Sequence, residues 1–238
     1  MLKNHIPNLL TLANLLCGLF IIISAFQLQF VTAIYFAVAA LVFDFFDGTA
    51  ARYLKSTSTI GKELDSMADN ISFGAAPALV LFNYWINEIP QGFEPNTLWQ
   101  EIIPYFALII AASAGYRLAK FNISEEQSKE FFGLASPAAA IFIVGLFIIH
   151  TQGIEVQSMI GQKWLLILVS IIISALMVSN IPMFSFKLSG FSWQENKVQI
   201  VFVILSILLF LLFKIGALPL VIILYILINI ARSFLSTP

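Results

Sequence analysis

Residues 201–213 read VFVILSILLFLLF, a run with one hydroxyl and no charge, in which neither a helix nor a strand would present a polar face. A membrane barrel strand alternates apolar and polar residues over about ten positions. A run that is apolar all round therefore reads as a helix in lipid, where every backbone N–H and C=O must be satisfied within the segment. Comparable runs recur along the chain. Of its 238 residues 60% are apolar and 11% are Asp, Glu, Lys or Arg, against about 25% charged in an ordinary soluble domain. Mean hydropathy is +0.94. This composition excludes a soluble globule and predicts an all-α integral membrane protein.

Eight spans are predicted, roughly at 8–26, 30–50, 61–85, 101–121, 135–151, 163–184, 197–213 and 217–234, each close to the length that crosses a hydrocarbon layer about 30 Å thick. The first carries Asn8, Thr11 and Asn14 without a small-residue cleavage site, so it reads as a retained helix rather than a signal peptide. With the N-terminus inside, Lys3, Arg52, Lys55, Lys62, Arg117, Lys120, Lys129, Lys187, Lys197 and Arg232 fall on the cytoplasmic side, and only Lys163 and Lys214 fall outside. That asymmetry obeys the positive-inside rule and puts the protein in the cell membrane in this orientation. The outer loop from Asn87 to Gln100 agrees, with Glu88 and Glu94 but no basic residue. A net charge of -1 offers nothing to a nucleic acid. Cys17, the sole cysteine, excludes a disulfide framework or a Cys-rich metal site and reads as a small buried hydrophobe. His5 and His150 fall at opposite membrane ends and read as interfacial residues.

The chain holds four aspartates, Asp44, Asp47, Asp65 and Asp69, all within 26 residues. Asp44 and Asp47 are i,i+3 at the inner end of the second span, and Asp65 and Asp69 are i,i+4 at the inner start of the third, so each pair lines one helical face. Four carboxylates at one place repel one another unless cations neutralise them. Oxygen ligands select hard ions such as Mg²⁺ or Mn²⁺, and two of these form a clamp suited to a phosphoryl centre. An inert acidic rim at the membrane surface is the alternative, but the nearest Glu is the single Glu63. Gly48 and Gly61 leave backbone bare beside the carboxylates, where a polyphosphate could approach. Arg52 offers a donor fork for phosphate oxygens, whether of a substrate or of a lipid headgroup.

Residues 44–69, DFFDGTAARYLKSTSTIGKELDSMAD, spell D-x2-D-G-x2-A-R-x8-G-x3-D-x3-D. This resembles, position for position, the signature of the CDP-alcohol phosphatidyltransferases, membrane enzymes that move a phosphate-linked alcohol between CMP and an acceptor alcohol. The resemblance implies a six-helix core, here residues 1–190, usually dimeric, with a cytoplasm-facing cavity holding two divalent metals. Residues 191–238 then add two further helices. It also implies that Asp44, Asp47 and Asp65 are metal ligands, that Asp69 is the general base and also touches a metal, and that Gly48, Ala51, Arg52 and Gly61 line the CDP diphosphate. The opening run PNLLTLANLLCG (7–18) resembles the family's first helix, whose polar face reaches the nucleotide; Thr11 and Asn14 share a face there, and helix packing explains them equally well.

Three further runs resemble the phosphatidylserine synthases within that family. They are SFGAAPA (72–78), RLAKFN (117–122), with Lys120 replacing a second Arg, and FGLASPAAA (132–140), with Ala135 where proline is common. The implied reaction transfers phosphatidyl from CDP-diacylglycerol to L-serine. A serine carboxylate needs a cation, and Arg117 is the candidate, with Ser72 and Asn122 as polar contacts; positive-inside placement or lipid phosphate explains Arg117 otherwise. Relatives that use glycerol phosphate or an inositol acceptor would want more basic residues than Arg52, Arg117 and Lys120. A divalent-cation transporter is the rival from another class, but such proteins bind at the midplane between repeats, and no repeat is evident here.

Overall fold

The computed structural model describes residues 5–56, 58–88, 101–123, 131–151, 163–184 and 196–235. Lys3, Lys129, Lys187 and most of the outer loop up to Gln100 lie outside the described residues, as do the side chains of His150 and Lys163. Helix α1 (Ile6–Phe26) begins on Pro7, whose missing N–H costs nothing in a first turn. It is followed by α2 (Phe30–Tyr53), which at about 1.5 Å per residue is long enough to cross a bilayer core. The third span is one helical rod of three parts, α3 (Thr59–Asp69), a π-helical turn (Asn70–Ala75) and α4 (Ala76–Glu88). Then come a 3-10 turn (Ile103–Ala107) leading into α5 (Leu108–Ile123), α6 (Ser136–Thr151), α7 (Lys163–Val178), α8 (Lys197–Phe213) and α9 (Leu218–Leu235).

Each predicted span falls on helix, but the sixth stops at Val178 rather than at 184. The chain turns there: the Ser179 hydroxyl donates to Leu176 O at 2.9 Å, and Pro182 disfavours helical backbone at Ile181. A two-residue antiparallel pairing follows, Phe131 with Met183 and Phe132 with Pro182, a local addition to the all-helical plan. Gly133 sits at φ +73, and a Cβ there would meet Met177 O at 2.6 Å, so only glycine fits. Its N–H donates to Ile181 O, and that of Leu134 donates to Leu176 O, each at 2.9 Å. The FGLASPAAA run is thus a strap that fastens the start of α6 over the end of α7.

Helices α8 and α9 could pass for one apolar run of 38 residues, Lys197–Phe234. The backbone breaks at Lys214 (φ 52, ψ -137), and the rings of Phe202 and Tyr225 lie 5.9 Å apart. In a straight helix those residues would be about 35 Å apart, so the chain folds back on itself. Exposed Ile204, Leu208, Leu211 and Leu212 make the outer face of α8 a lipid-facing surface.

Helix α1 is the hub, packed against α2, α3, the π-helical turn and α4. It packs tightly at Gly18, where a Cβ would come within 2.5 Å of Ser72 Oγ. The interior divides along α2. At its start Phe30 stacks on Phe147 (centroids 5.4 Å) and meets Tyr84 edge-on (5.7 Å), closing a buried aromatic cluster. About 21 to 26 Å further along, at 1.5 Å per residue, the same helix presents Asp44 and Asp47.

Candidate active site

The α2-to-α3 connection sets the site. Lys55 adopts a left-handed conformation (φ 51), and Ser56 N reaches back to Ala51 O at 3.0 Å, the 6→1 bond that ends a helix abruptly. Three residues on, Ser58 caps α3, its hydroxyl accepting from Gly61 N at 3.0 Å. So tight a turn brings the first turns of α3 against α1: a Cβ on Gly61 would lie 3.1 Å from Asn8 Oδ1.

This geometry brings Asp44, Asp47 and Asp65 together, with one carboxylate oxygen from each lying within 4.8 Å of the others. Asp47 is 4% exposed, and its Oδ2 is buried without a hydrogen-bond partner. A buried anionic oxygen with no donor, beside two more carboxylates, fits a hard divalent cation. Asp69 stands one turn beyond Asp65 and within hydrogen-bonding reach of Asp44. Asn14, fully buried, donates from Nδ2 to Asp69 Oδ1 at 3.2 Å, so the polar face of α1 holds the fourth carboxylate.

Next to the cluster is a cavity of about 260 Å³ lined by Thr11, Asp47, Gly48, Ala51, Arg52, Gly61 and Asp65. These are seven of the residues singled out by the motif and its resemblance. At Gly48 a Cβ would meet nothing nearer than the Arg52 guanidinium at 3.6 Å, so the backbone there is open to the cavity. Thr11 donates to Pro7 O at 3.0 Å while lying beside Asp47. Arg52 is exposed and donates to Thr49 Oγ1 at 3.3 Å. Asn8, Ser56, Ser58 and Lys62 also line the cavity. Ser56, Ser58 and Lys62 occupy variable positions of the motif and meet Asn8, on the polar face of α1, only through the α2-to-α3 turn.

The three proposed acceptor contacts are placed differently. Arg117 lies within electrostatic reach of Asp69, with a buried Nε that has no hydrogen-bond partner. Ser72 instead donates to Asn14 O at 2.9 Å, buried in the α1 contact, and Asn122 donates to Ser66 Oγ at 2.8 Å while its carbonyl accepts from Lys62. Neither lines the cavity; both join helices that carry the site. Asn70, next to Asp69 at the start of the π-helical turn, has a buried Oδ1 without a partner and packs against Gly74 and Gly115. π-helical turns concentrate at functional sites, a signal that no local sequence feature announces.

The sequence model of the CDP-alcohol phosphatidyltransferases matches residues 4–178. Among curated proteins, the chain is 32% identical over 203 residues to a CDP-diacylglycerol–serine O-phosphatidyltransferase of Helicobacter pylori, covering 84% of this chain and 80% of the relative. A Bacillus subtilis protein of the same name is 32% identical over 164 residues, 69% of this chain and 87% of the relative. One from Saccharomyces cerevisiae is 32% identical over 163 residues, 61% of this chain and 55% of the relative. The matched region closes at Val178, the last residue of α7, and takes in every helix that carries an aspartate; on that ground the chain belongs to the CDP-alcohol phosphatidyltransferase family.

Proposed function

We propose that the protein is a phosphatidylserine synthase, transferring phosphatidyl from CDP-diacylglycerol to the hydroxyl of L-serine and releasing CMP. The observation that carries this reading is the convergence of Asp44, Asp47 and Asp65 beside a cavity floored by bare glycine backbone and rimmed by Arg52 and Lys62. The names of the relatives favour serine as the acceptor. Residues 1–190 would form the six-span catalytic core and 191–238 a C-terminal hairpin, a division supported by the matched region ending at 178. The distribution of Lys and Arg favours a cytoplasmic opening for the site. A homodimer is expected by analogy with the family.

In the proposed reaction, Asp44, Asp47 and Asp65 hold divalent metal, Mg²⁺ or Mn²⁺ and two ions by the family pattern, with Asp69 also in reach. When bound, the metal neutralises the diphosphate and stabilises CMP as leaving group. The cavity backbone at Gly48 and Gly61, with Ala51, Arg52 and Thr11, receives the nucleotide and its diphosphate. Asn14 pins one oxygen of Asp69, which leaves the other to take the proton of the serine hydroxyl. The serine oxygen then bonds to the phosphorus that carries diacylglycerol, and the bond to the CMP oxygen breaks, its electron pair leaving with CMP. Arg117 answers the serine carboxylate. The buried contacts of Ser72 and Asn122 recommend supporting roles for both.

The test uses purified protein in lipid with CDP-diacylglycerol and Mg²⁺ or Mn²⁺, comparing L-serine, glycerol 3-phosphate and inositol phosphate. Chelator-sensitive lipid product from serine alone is expected. Product from another acceptor would keep the aspartate chemistry and overturn the Arg117 assignment. Absence of CMP release under every condition would remove the enzymatic reading and return the site to cation transport.

A further inference from the structure

The start of α3 and the end of α5 are stitched together beside the cavity. Lys62 Nζ donates to Asn122 O at 3.1 Å, Asn122 Nδ2 donates to Ser66 Oγ at 2.8 Å, and Ser66 Oγ donates to Lys62 O at 3.2 Å, so three bonds close a loop between the two helices. Asn122 is the next-to-last residue of α5, and its carbonyl is one of those that a helix leaves without an internal partner at its end. A lysine there also answers the negative end of the helix dipole. Asn122 and Ser66 are half-buried, whereas Lys62 is exposed.

Capping α5 does not exhaust what Lys62 can do. The same side chain lines the cavity with Asp47, Gly48, Arg52 and Gly61. An ammonium has three protons, and the α5 carbonyl takes one. Among the described residues Lys62 bonds no carboxylate, although Asp65 lies one turn along its own helix, so its positive charge is left unneutralised at the cavity. Arg52, near the end of α2, is likewise tethered to a neutral group, Thr49 Oγ1, at 3.3 Å. Two cations held by neutral groups, on the two helices joined by the α2-to-α3 turn, suit a diphosphate bridge with one negative charge on each phosphorus. A lysine loses rotamer freedom when it orders on a ligand, and one already held by α5 loses less.

We propose that Lys62 is a further binding residue for the donor's diphosphate, and that Asn122 and Ser66 are positioning residues that hold it at the cavity from the end of α5. The idea rests on the reading of CDP-diacylglycerol as donor given above. It puts Asn122 on the donor side of the reaction rather than against the acceptor, and it makes the last turn of α5 a support of the nucleotide site without lining the cavity. The phosphate of an anionic lipid headgroup has the same chemistry, and the test separates the two.

The test is steady-state kinetics on the full-length protein in phosphatidylcholine vesicles with Mg²⁺ or Mn²⁺. Lys62→Met should raise KM for CDP-diacylglycerol by about tenfold, the worth of one hydrogen bond from a charged group, with KM for L-serine within about twofold. Lys62→Arg, which keeps the charge, should recover most of that loss. Ser66→Ala and Asn122→Ala should each raise the same KM by about twofold to threefold, and neither should add to the effect of Lys62→Met. Competitive inhibition locates the contact: Lys62→Met should weaken CDP by about tenfold and leave cytidine unchanged. An unmoved KM for CDP-diacylglycerol in Lys62→Met, in a parent that turns over, overturns the proposal alone. Equal weakening of cytidine and CDP marks a merely structural role and also overturns it. A loss that appears only once phosphatidylglycerol is added to the vesicles assigns Lys62 to a lipid headgroup, with the same consequence. A rise in serine KM alone in Asn122→Ala returns that residue to the acceptor and removes its positioning role. A parent that releases no CMP overturns the donor reading and the proposal with it.

Discussion

The two ends of α2 solve opposite problems with the same helix. At Phe30 the surroundings are Tyr84 and Phe147, rings in contact with no charge to satisfy. At Asp44 and Asp47 the same stretch of helix faces Asp65 from α3, and Asp47 keeps a buried oxygen with no donor. One end is complete as folded, and the other is completed only by what binds there. Stability and catalysis are thus segregated along the helix axis, and substitutions at the two ends should separate cleanly.

The largest effect is expected at the carboxylates. Asp65→Asn and Asp69→Asn should each lower CMP release by about a thousandfold or more. The Asp69 variant should still bind CDP-diacylglycerol, measured by equilibrium binding, whereas the Asp65 variant should not. Equal loss of binding in both would erase the distinction between ligand and base. At the aromatic end, Phe147→Ala should cost about 3 to 5 kcal/mol of stability by leaving a cavity between Phe30 and Tyr84, with both KM values unmoved in the folded fraction. A shift in KM there would mean the two ends are coupled.

A finer comparison lies within the site. Asn14→Ala frees one oxygen of Asp69 and should lower kcat about tenfold, with KM for CDP-diacylglycerol little changed. Smallest is a gain: in chelator, Asp47→Asn should unfold at a higher temperature than the parent, by the equivalent of about 1 kcal/mol, because an uncompensated carboxylate is removed. Added Mg²⁺ or Mn²⁺ should reverse that order by stabilising only the parent. A parent indifferent to metal would argue that the cluster holds none.

The spacing of the aspartates was legible because helix periodicity converts it directly into shared faces; Asp44 and Asp47 could hardly diverge. The cavity wall formed by Asn8, Ser58 and Lys62 was not, since it depends on a through-space encounter created by the left-handed turn at Lys55. Ser72 illustrates the converse: its place in a family-like run suggested chemistry, yet the near-contact with Gly18 makes it the residue on which α1 and the third span close. The boundary between α8 and α9, by contrast, was legible: the spans expected at 197–213 and 217–234 fall on Lys197–Phe213 and Leu218–Leu235, with Lys214 marking the break.

The π-helical turn at Asn70–Ala75 carries a consequence for how this chain can change length. A wider turn absorbs one residue more than an α-helix would, so each residue of the rod above it is rotated by about 100°, the turn of one residue, from where an unbroken α-helix of the same length would put it. Asp65 and Asp69 are aimed by the lower phase, and Tyr84 is aimed by the upper. Deleting one residue of Asn70–Ala75 would let the segment close into a continuous α-helix with these two sets still on their present faces, whereas tightening it to α-helix with all six residues kept would turn them about 100° out of register. The third span can therefore give up one residue at this turn and keep both its faces, and what the bundle reads is the facing of Asp69 against Tyr84 rather than the number of residues between them.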